Sequence, residues 1–561
     1  MYWKSKLVPD ITKVESLQKT LDVSEKIAKI LVQRGIEDFD TAKAFFRPQL
    51  SNLHDPFLMQ DMQHAVDRID QARRNEESVM IYGDYDVDGT TSVSLLYSFL
   101  QPYLKKTIPY IPDRYAEGYG ISYQGIDVAV DKGIKLIIAL DCGIKAVEKV
   151  AYAKSKGIDF IICDHHLPGY SIPDAIAVLD PKRSDCDYPY KELCGCGIGF
   201  KLIQALTSFW KEDPKELLVC LDLVAIAIAA DIVPMTGENR ILAFHGIKQL
   251  RNYPRPGLSS FISLLKKPLA ITDLVFVIAP RINAAGRMSH ALNAVELLIE
   301  TNPDLAETKA KIIESYNSDR RATDMRITKE ALVMIEELKE QDLYSTVVSQ
   351  EYWHKGVIGI VASRLIETYY RPTVVFSSSG DTMVGSVRSV KGFNIYEALE
   401  ACEEYIVQFG GHKYAAGLTI EKKNFELFKT KFEEVVKNRI LPEQRTPTVI
   451  YDTSIALEEL TPKLYRILEQ LGPFGPENMR PVFRTNRVLD SGYSKVVGAD
   501  KSHLRLSLKT LANPMIGIVF GRADFLTHIK TKQAFDLVYT LDENEWNGST
   551  SIQLKVKDLM A

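Results

Sequence analysis

The chain has 561 residues, enough for about three to four domains, and its 46% hydrophobic and 25% charged content is that of an ordinary soluble globular protein. A net charge of -4 excludes a globally basic nucleic-acid-coating protein, so any polyanion-binding surface must be local. The absence of any apolar run near the ~20 residues of a membrane span, an N-terminus (MYWKSKLVPDIT) without an apolar signal core, and an odd count of seven cysteines together point to a cytoplasmic protein with reduced thiols and no membrane association.

In chain order, residues 1–75 read as a helical segment, with Ile27, Ile30 and Leu31 at helical spacing. The texture then changes to short β-rich apolar runs, Val79–Tyr82, Leu136–Leu140, Phe160–Cys163 and Ala175–Leu179, separated by helical patterns. That alternation predicts a mostly parallel sheet within an α/β domain over 76–300, with ligands bound beyond the carboxyl ends of the strands. A long helix is predicted over 301–342, with Asn302 as N-cap and Pro303 at its first position; its length suggests a spacer between two bodies. A second α/β region spans 343–440, and short alternating strands over 446–561 predict a small β-barrel or sandwich.

The strongest chemical signal is VMIYGDYDVDGTT, in which Asp84, Asp86 and Asp88 follow a strand at every second position. Aspartates favour turns and helix caps, which is the bland explanation. Three carboxylates so close repel one another unless a cation neutralises them, and Asp–x–Asp spacing projects them to one side, which favours a metal site. Asp141 follows the run Leu136–Leu140, and Cys163-Asp164-His165-His166 closes Phe160–Cys163, so three acidic clusters gather on one sheet edge. Imidazole with several carboxylates suits Mn²⁺, Mg²⁺ or Co²⁺ better than a thiolate-bound metal; one imidazole can bind metal while its neighbour meets a substrate phosphate. Asp231 ends the apolar stretch LDLVAIAIAAD, a costly place for an acid unless it is paired or ligated; Asp222 has the weaker claim. Cys194-Gly195-Cys196 has the wrong spacing for a zinc site.

The order GDYDVDG, LDCG, CDHH and AADIVP resembles the motifs of the DHH phosphoesterase superfamily. The segments IPDRYAEGYG, LCGCGIGFKL, PRINAAGRM, WHKGVIGIVASRL and FGGHKYAAGL are similar, within it, to the RecJ family of bacterial 5′-to-3′ exonucleases specific for single-stranded DNA. The resemblance implies a DHH domain, a connecting helix, a DHH-associated α/β domain and a C-terminal OB-like β-barrel. It implies metal ligands at Asp84, Asp86, Asp88, Asp141, His165 and Asp231, with His166 in the same catalytic site and Asp141 as the bridging ligand of two Mn²⁺ or Mg²⁺ ions. A single-strand-binding protein and a RecQ-like helicase are implied partners of a monomer, in recombination, mismatch repair and base-excision repair. Cys196 departs from the small residue of the related LCGAG form, where a packing change is expected.

For substrate grip, Arg281 and Arg287 in PRINAAGR are candidate phosphate clamps. Arg388, Ser389, Gly410, Gly411 and His412 resemble the phosphate-recognition elements of the associated domain. Tyr115 and Tyr119, taken as isolated tyrosines, read as core. From Arg480 to Lys532 there are ten Lys or Arg, Lys501 and Arg505 among them, against three acids, which with interspersed aromatics suits a single-strand groove. The rival enzymes, DHH proteins acting on small phosphoesters, need no such basic β domain. A non-catalytic relative would have lost the acidic and imidazole groups, all of which this sequence retains.

Overall fold

The four apolar runs and one further segment form the parallel strands of the first sheet: β1 (Val79–Gly83), β2 (Thr107–Tyr110), β3 (Leu136–Leu140), β4 (Asp159–Cys163) and β5 (Ala177–Leu179). Their order is β2-β1-β3-β4-β5, and every neighbouring pair runs parallel. All five residues of β1 and of β3 are buried, because helices cover both faces of such a sheet. Strand order reverses between β1 and β3, and there the carboxyl ends open a crevice. The short strand β2, TIPY, has no counterpart among the apolar runs, since Pro109 and flanking polar residues suit only a sheet edge.

The computed structural model describes residues 1–511, 513–546 and 549–561. The chain divides into two compact units. Asp55–Asp231 and Gly246–Pro447 form one, and Met1–His54, Ile232–His245 and Thr448–Ala561 form the other. The helical stretch at 1–75 is therefore shared between the units rather than standing alone.

In the first unit, helices α1 (Val87–Leu100), α2 (Gly195–Trp210) and α3 (Leu217–Ala230) pack on one another behind the first sheet. Helix α4 (Ala279–Met288) leads toward the long helix α5 (Pro303–Glu337), which starts where Asn302 accepts hydrogen bonds from the amides of Asp304 and Leu305. Helix α5 is no bare spacer. It buries Ala306, Ala310, Ile313, Ile327, Ala331 and Ile335 and packs on α4 and on α6 (Ile358–Thr368). The second sheet contains β6 (Thr346–Gln350), β7 (Thr373–Ser379), β8 (Thr382–Arg388), β9 (Gln408–His412) and β10 (Ala415–Glu421), in the order β9-β10-β8-β7-β6. Only the β6–β7 pair is parallel, and Phe376, Phe428 and Phe432 fill the core of this region.

The other unit is built on a seven-stranded mixed sheet between Thr453 and Met560. Its apolar face, with Phe483, Leu504, Leu506 and Leu537, is completed by Leu17, Ile27, Ile30 and Leu31 of the N-terminal helices. A parallel pairing of Tyr2–Ser5 with Thr448–Tyr451 ties the two ends of the sequence into one body.

Candidate metal centre

The site forms where β1 and β3 end. Asp86 caps α1, its carboxylate accepting from the amides of Asp88 (2.8 Å) and Gly89 (3.2 Å), which turns the strand directly into the helix. Asp84 is fully buried beneath this turn. Gly89 is obligatory there, because a Cβ would lie 2.1 Å from Asp84 Oδ1. Asp88 points across to the N-terminus of α2, where its two oxygens accept from the amides of Gly195 (2.7 Å) and Cys196 (2.8 Å). A helix N-terminus is a good partner for a carboxylate, since its first amides lack intrahelical acceptors. Gly195 is as constrained as Gly89, with a Cβ there falling 2.6 Å from that of Asp141.

Asp141 follows β3 with φ +60, its amide donating to the Cys163 carbonyl. After β4, Asp164 organises both histidines: its Oδ1 accepts from the amides of His165 (2.7 Å) and His166 (3.2 Å) and from His166 Nδ1 (2.7 Å). Its Oδ2 accepts from the Ile144 amide at 2.9 Å. His165 then projects Nε2 to 3.1 Å from Asp141 Oδ1, 3.6 Å from Asp231 Oδ2 and 3.9 Å from Asp88 Oδ2. Asp231 arrives from the C-terminal end of α3. All seven residues singled out for this site thus meet in one crevice. Three triads bring ligand atoms within 4.8 Å of one another: Asp84, Asp86 and Asp141; Asp88, His165 and Asp231; and Asp141, His165 and His166.

Electrostatically the cluster is unresolved as it stands. Burial, followed by repulsion from Asp86, raises the Asp88 carboxyl to about 7; burial with Asp88 and Asp86 raises Asp231 to about 8. Asp84 and Asp141 are pushed well above the carboxylate range, chiefly by burial and then by their acidic neighbours. Burial and the neighbouring His166 hold His165 down to about 3. Asp84 Oδ2, Asp141 Oδ1 and both ring nitrogens of His165 are buried without a hydrogen-bond partner. Buried polar atoms are rarely left so, and a ring nitrogen 3.1 Å from a carboxylate without a hydrogen bond is the geometry of two ligands facing one cation. The donor set, carboxylates with one imidazole, fits Mn²⁺ or Mg²⁺.

Facing the acids is a group of arginines. Arg287 on α4 donates to the Gly356 carbonyl at 2.8 Å, and burial with nearby Arg114, Arg388 and Arg320 lowers it to about 10. Arg114 lies over the Tyr85 ring at 4.6 Å. Arg388, at the end of β8, donates to Ser386 Oγ and the Val387 carbonyl. Among the described residues none of Arg114, Arg287 and Arg388 has a carboxylate partner.

Family models for the DHH family N-terminal domain, the DHHA1 domain and the RecJ OB domain match residues 78–228, 340–438 and 451–558. The single-stranded-DNA-specific exonuclease RecJ of Bacillus subtilis is 36% identical, over 98% of this chain and 70% of that protein. The Escherichia coli protein of the same name is 33% identical, over 89% of this chain and 90% of its own. The chain belongs to the RecJ family. A crystal structure of exonuclease RecJ bound to manganese matches with a TM-score of 0.62 and 28% identity, over 71% of this chain and 99% of that one. RecJ from Thermus thermophilus in complex with Mn²⁺ shares the fold across 100% of this chain and 79% of its own, at a TM-score of 0.86 and 24% identity.

The structure separates the RecJ-like phosphate candidates. Arg281 is held in a structural ion pair: it donates to Glu314 of α5 (2.5 Å) and to the Val277 carbonyl (2.7 Å), with Phe261 beneath it. A carboxylate thus already partners Arg281, which favours a bracing role there over a phosphate clamp. Ser389 donates its amide to the Tyr414 carbonyl and its hydroxyl to that of Phe393. Gly410 is exposed on the edge strand β9, and Gly411 at φ +150 leaves no room for a Cβ beside the Ala415 carbonyl. His412 sits within electrostatic reach of His166 and Lys145, which with burial lower its pKa. Tyr115 and Tyr119 are not core: they are 45% and 52% exposed. Tyr119 places its hydroxyl 3.4 Å from His166 Nε2, and Tyr115 donates to the Arg287 carbonyl.

In the other unit, Lys501 occupies a turn at φ +55 and Arg505 lies directly across from Lys495 on the neighbouring strand. Arg480, Arg484 and Arg522 of the basic stretch are ion-paired with Glu469, Asp536 and Asp558, acids that lie outside it. Among the described residues, seven cations of the stretch, Lys495, Lys501 and Arg505 among them, have no ion-pair partner.

Four contributors escaped the reading of the sequence. Asp164 was the middle letter of a motif whose neighbouring histidines drew attention. The Gly195 and Cys196 amides carry no side-chain signal. Arg114 sits in an Asp-capped turn, where Asp113 accepts from the amides of Tyr115 and Ala116. That turn signature, followed by an arginine, was the available clue.

Proposed function

We propose that this RecJ-family chain is a divalent-metal-dependent exonuclease that removes mononucleotides from the 5′ end of single-stranded DNA. The observation that carries the reading is the set of buried, partnerless acceptors at the β1/β3 crevice, faced by arginines that lack carboxylates. Asp84, Asp86 and Asp141 would hold one ion, and Asp88, His165 and Asp231 a second, with Asp141 shared between them. When bound, Mn²⁺ or Mg²⁺ supplies Lewis-acid activation of water and charge neutralisation at the scissile phosphate.

The chain's own residues do the rest. The α2 amides hold Asp88 in place, and Asp164 fixes His166 so that Nε2 faces the crevice beside Tyr119. Burial would lower His166, but Asp164, Asp231 and Asp88 raise it, which favours a donor facing a phosphoryl oxygen. Arg114, Arg287 and Arg388 would grip the strand's phosphates. In the other unit the opposed Lys495 and Arg505 repel each other unless a polyanion lies across them, which suits a further hold on the strand. Likeness to the family supports roles in recombination, mismatch repair and base-excision repair, with a single-strand-binding protein and a RecQ-like helicase as partners.

Digestion of single strands labelled at either end, with Mn²⁺ or Mg²⁺, tests this. A 5′ label should be released first as a mononucleotide, and duplex should survive. Release of a 3′ label first, or activity undiminished in Asp88→Ala, would refute it.

A further inference from the structure

The connecting helix carries a charge arrangement that its role as a brace does not explain. Asp324, in the middle of α5, is fully buried, and one carboxylate serves two arginines. Arg320 Nη1 lies 2.9 Å from Oδ2, and Arg364 Nη2, from α6, lies 2.8 Å from Oδ1. Arg320 also donates to the buried Asn317 at 2.6 Å. Two guanidiniums on one acid leave a surplus of positive charge, and the Arg364 side chain remains 39% exposed.

This pair continues the arginine group at the crevice. A Cβ on Gly359, in the first turn of α6, would lie 2.9 Å from Arg388 Nη2, and Arg364 follows five residues later. At ~1.5 Å and ~100° per residue that is about 7.5 Å along the helix and about 140° around it, so Arg364 is displaced from Arg388 along α6. Arg320 is close enough to Arg287 to lower its pKa. From Arg114 through Arg287 and Arg388 to Arg320 and Arg364, five guanidiniums thus face a single carboxylate among the described ion pairs, Asp324. A structural network would be expected to balance its charges; a track for a polyanion would not.

We propose that Arg364 and Arg320, oriented by Asp324 and Asn317, form a second phosphate-binding station, engaging the backbone of the strand one or more nucleotides away from the reacting end. The inference rests on the proposed action on single strands. It makes Arg364 and Arg320 substrate-binding residues and Asp324 a positioning residue.

The test compares Arg364→Gln, Arg320→Gln and Asp324→Asn with the unaltered protein, on a 5′-phosphorylated dinucleotide and on a 20-nucleotide strand. Arg364→Gln should raise KM for the long strand about tenfold with kcat little changed, and leave kcat/KM on the dinucleotide within about twofold. The slope of log KM against log salt should fall by ~0.7 for each phosphate contact removed from a single strand. Arg364→Lys should restore part of the affinity, since an ammonium still meets a phosphate. An unchanged salt slope, or equal losses on both substrates, would overturn the station and leave a brace. Arg364 is partly exposed, so its variants are expected to fold even where Asp324→Asn does not. Failure of the unaltered protein to degrade either strand would instead sink the proposed function, an outcome distinguishable from an unchanged slope in an active enzyme.

Discussion

Asp164 is the most informative residue to change, because it is not itself an expected ligand yet holds both histidines. Four donors converge on its carboxylate: three on Oδ1 and the Ile144 amide on Oδ2. Burial opposes its charge, but His166 and the Ile144 amide outweigh that and hold the carboxyl at about 2. Against an ordinary ~3.9, this corresponds to roughly 2–3 kcal/mol of native stability. That contribution is complete above pH ~3.9 and is lost as pH falls through about 2. In Asp164→Asn the amide oxygen keeps the Oδ1 role, while the amide nitrogen is set against the Ile144 N–H, two buried donors facing each other. The penalty for such a pair is about 1–3 kcal/mol, and the charge-assisted bond to His166 weakens as well. We expect a loss of about 3 kcal/mol in denaturant unfolding. Catalysis should fall ~10- to 100-fold, the usual effect of removing a partner behind a metal-site histidine. The measurements are urea unfolding and steady-state release of 5′-labelled nucleotide at pH 7.5. Activity within threefold of the unaltered protein would refute the view that Asp164 sets the imidazoles.

Further outcomes follow from the same geometry. Gly89→Ala, which drives a methyl into Asp84, should lower kcat by at least about 100-fold, the scale of a ~1 Å misplacement, as read by single-turnover digestion. Cys196→Ala should leave kcat/KM within about threefold and cost about 1 kcal/mol in thermal unfolding, since the backbone amide and not the thiol holds Asp88. Metal-free protein should lose stability as pH rises from ~4 through about 8, because Asp88 and Asp231 have raised values and their neutral forms favour folding. Saturating Mn²⁺ should abolish that decline and raise the melting temperature, with ~2.7 kcal/mol gained at a hundredfold excess over Kd. Differential scanning calorimetry across pH, with and without the ion, checks both statements.

The metal centre was legible because its chemistry is written in contiguous letters. A buried strand that runs straight into Asp–x–Asp–x–Asp has one physical reconciliation, and the parallel alternation places Asp141 and His165 at the same sheet edge. The strand β2 was not legible, because four residues with a proline look like a loop until a neighbour supplies the ladder. Nor was the pairing of the N-terminal helices with the C-terminal sheet, since helical periodicity reports a buried face but not its partner. That pairing also changes how the β domain is to be tested. Deleting 446–561 would strip Leu17, Ile27 and Leu31 of their core, so neutralising Lys495 and Arg505 is the cleaner experiment.

Arginines show where reading a linear sequence fails. Arg281 and Arg287 share one helix and one motif, yet six residues at 3.6 per turn set them about 120° apart. One side faces α5, where Glu314 neutralises it; the other faces the Gly356 turn and the crevice. Over 480–532 acids from elsewhere in the chain balance Arg480, Arg484 and Arg522, so charge counting overstates the basic excess there without removing it. A carboxylate cluster announces its need for a cation locally, because repulsion between neighbours in sequence cannot be relieved by folding alone. A phosphate grip makes no such announcement: a lone arginine is satisfied by any carboxylate the fold brings near. Only the folded chain distinguishes Arg281, which found one, from Arg114, Arg287 and Arg388, which have none among the described residues.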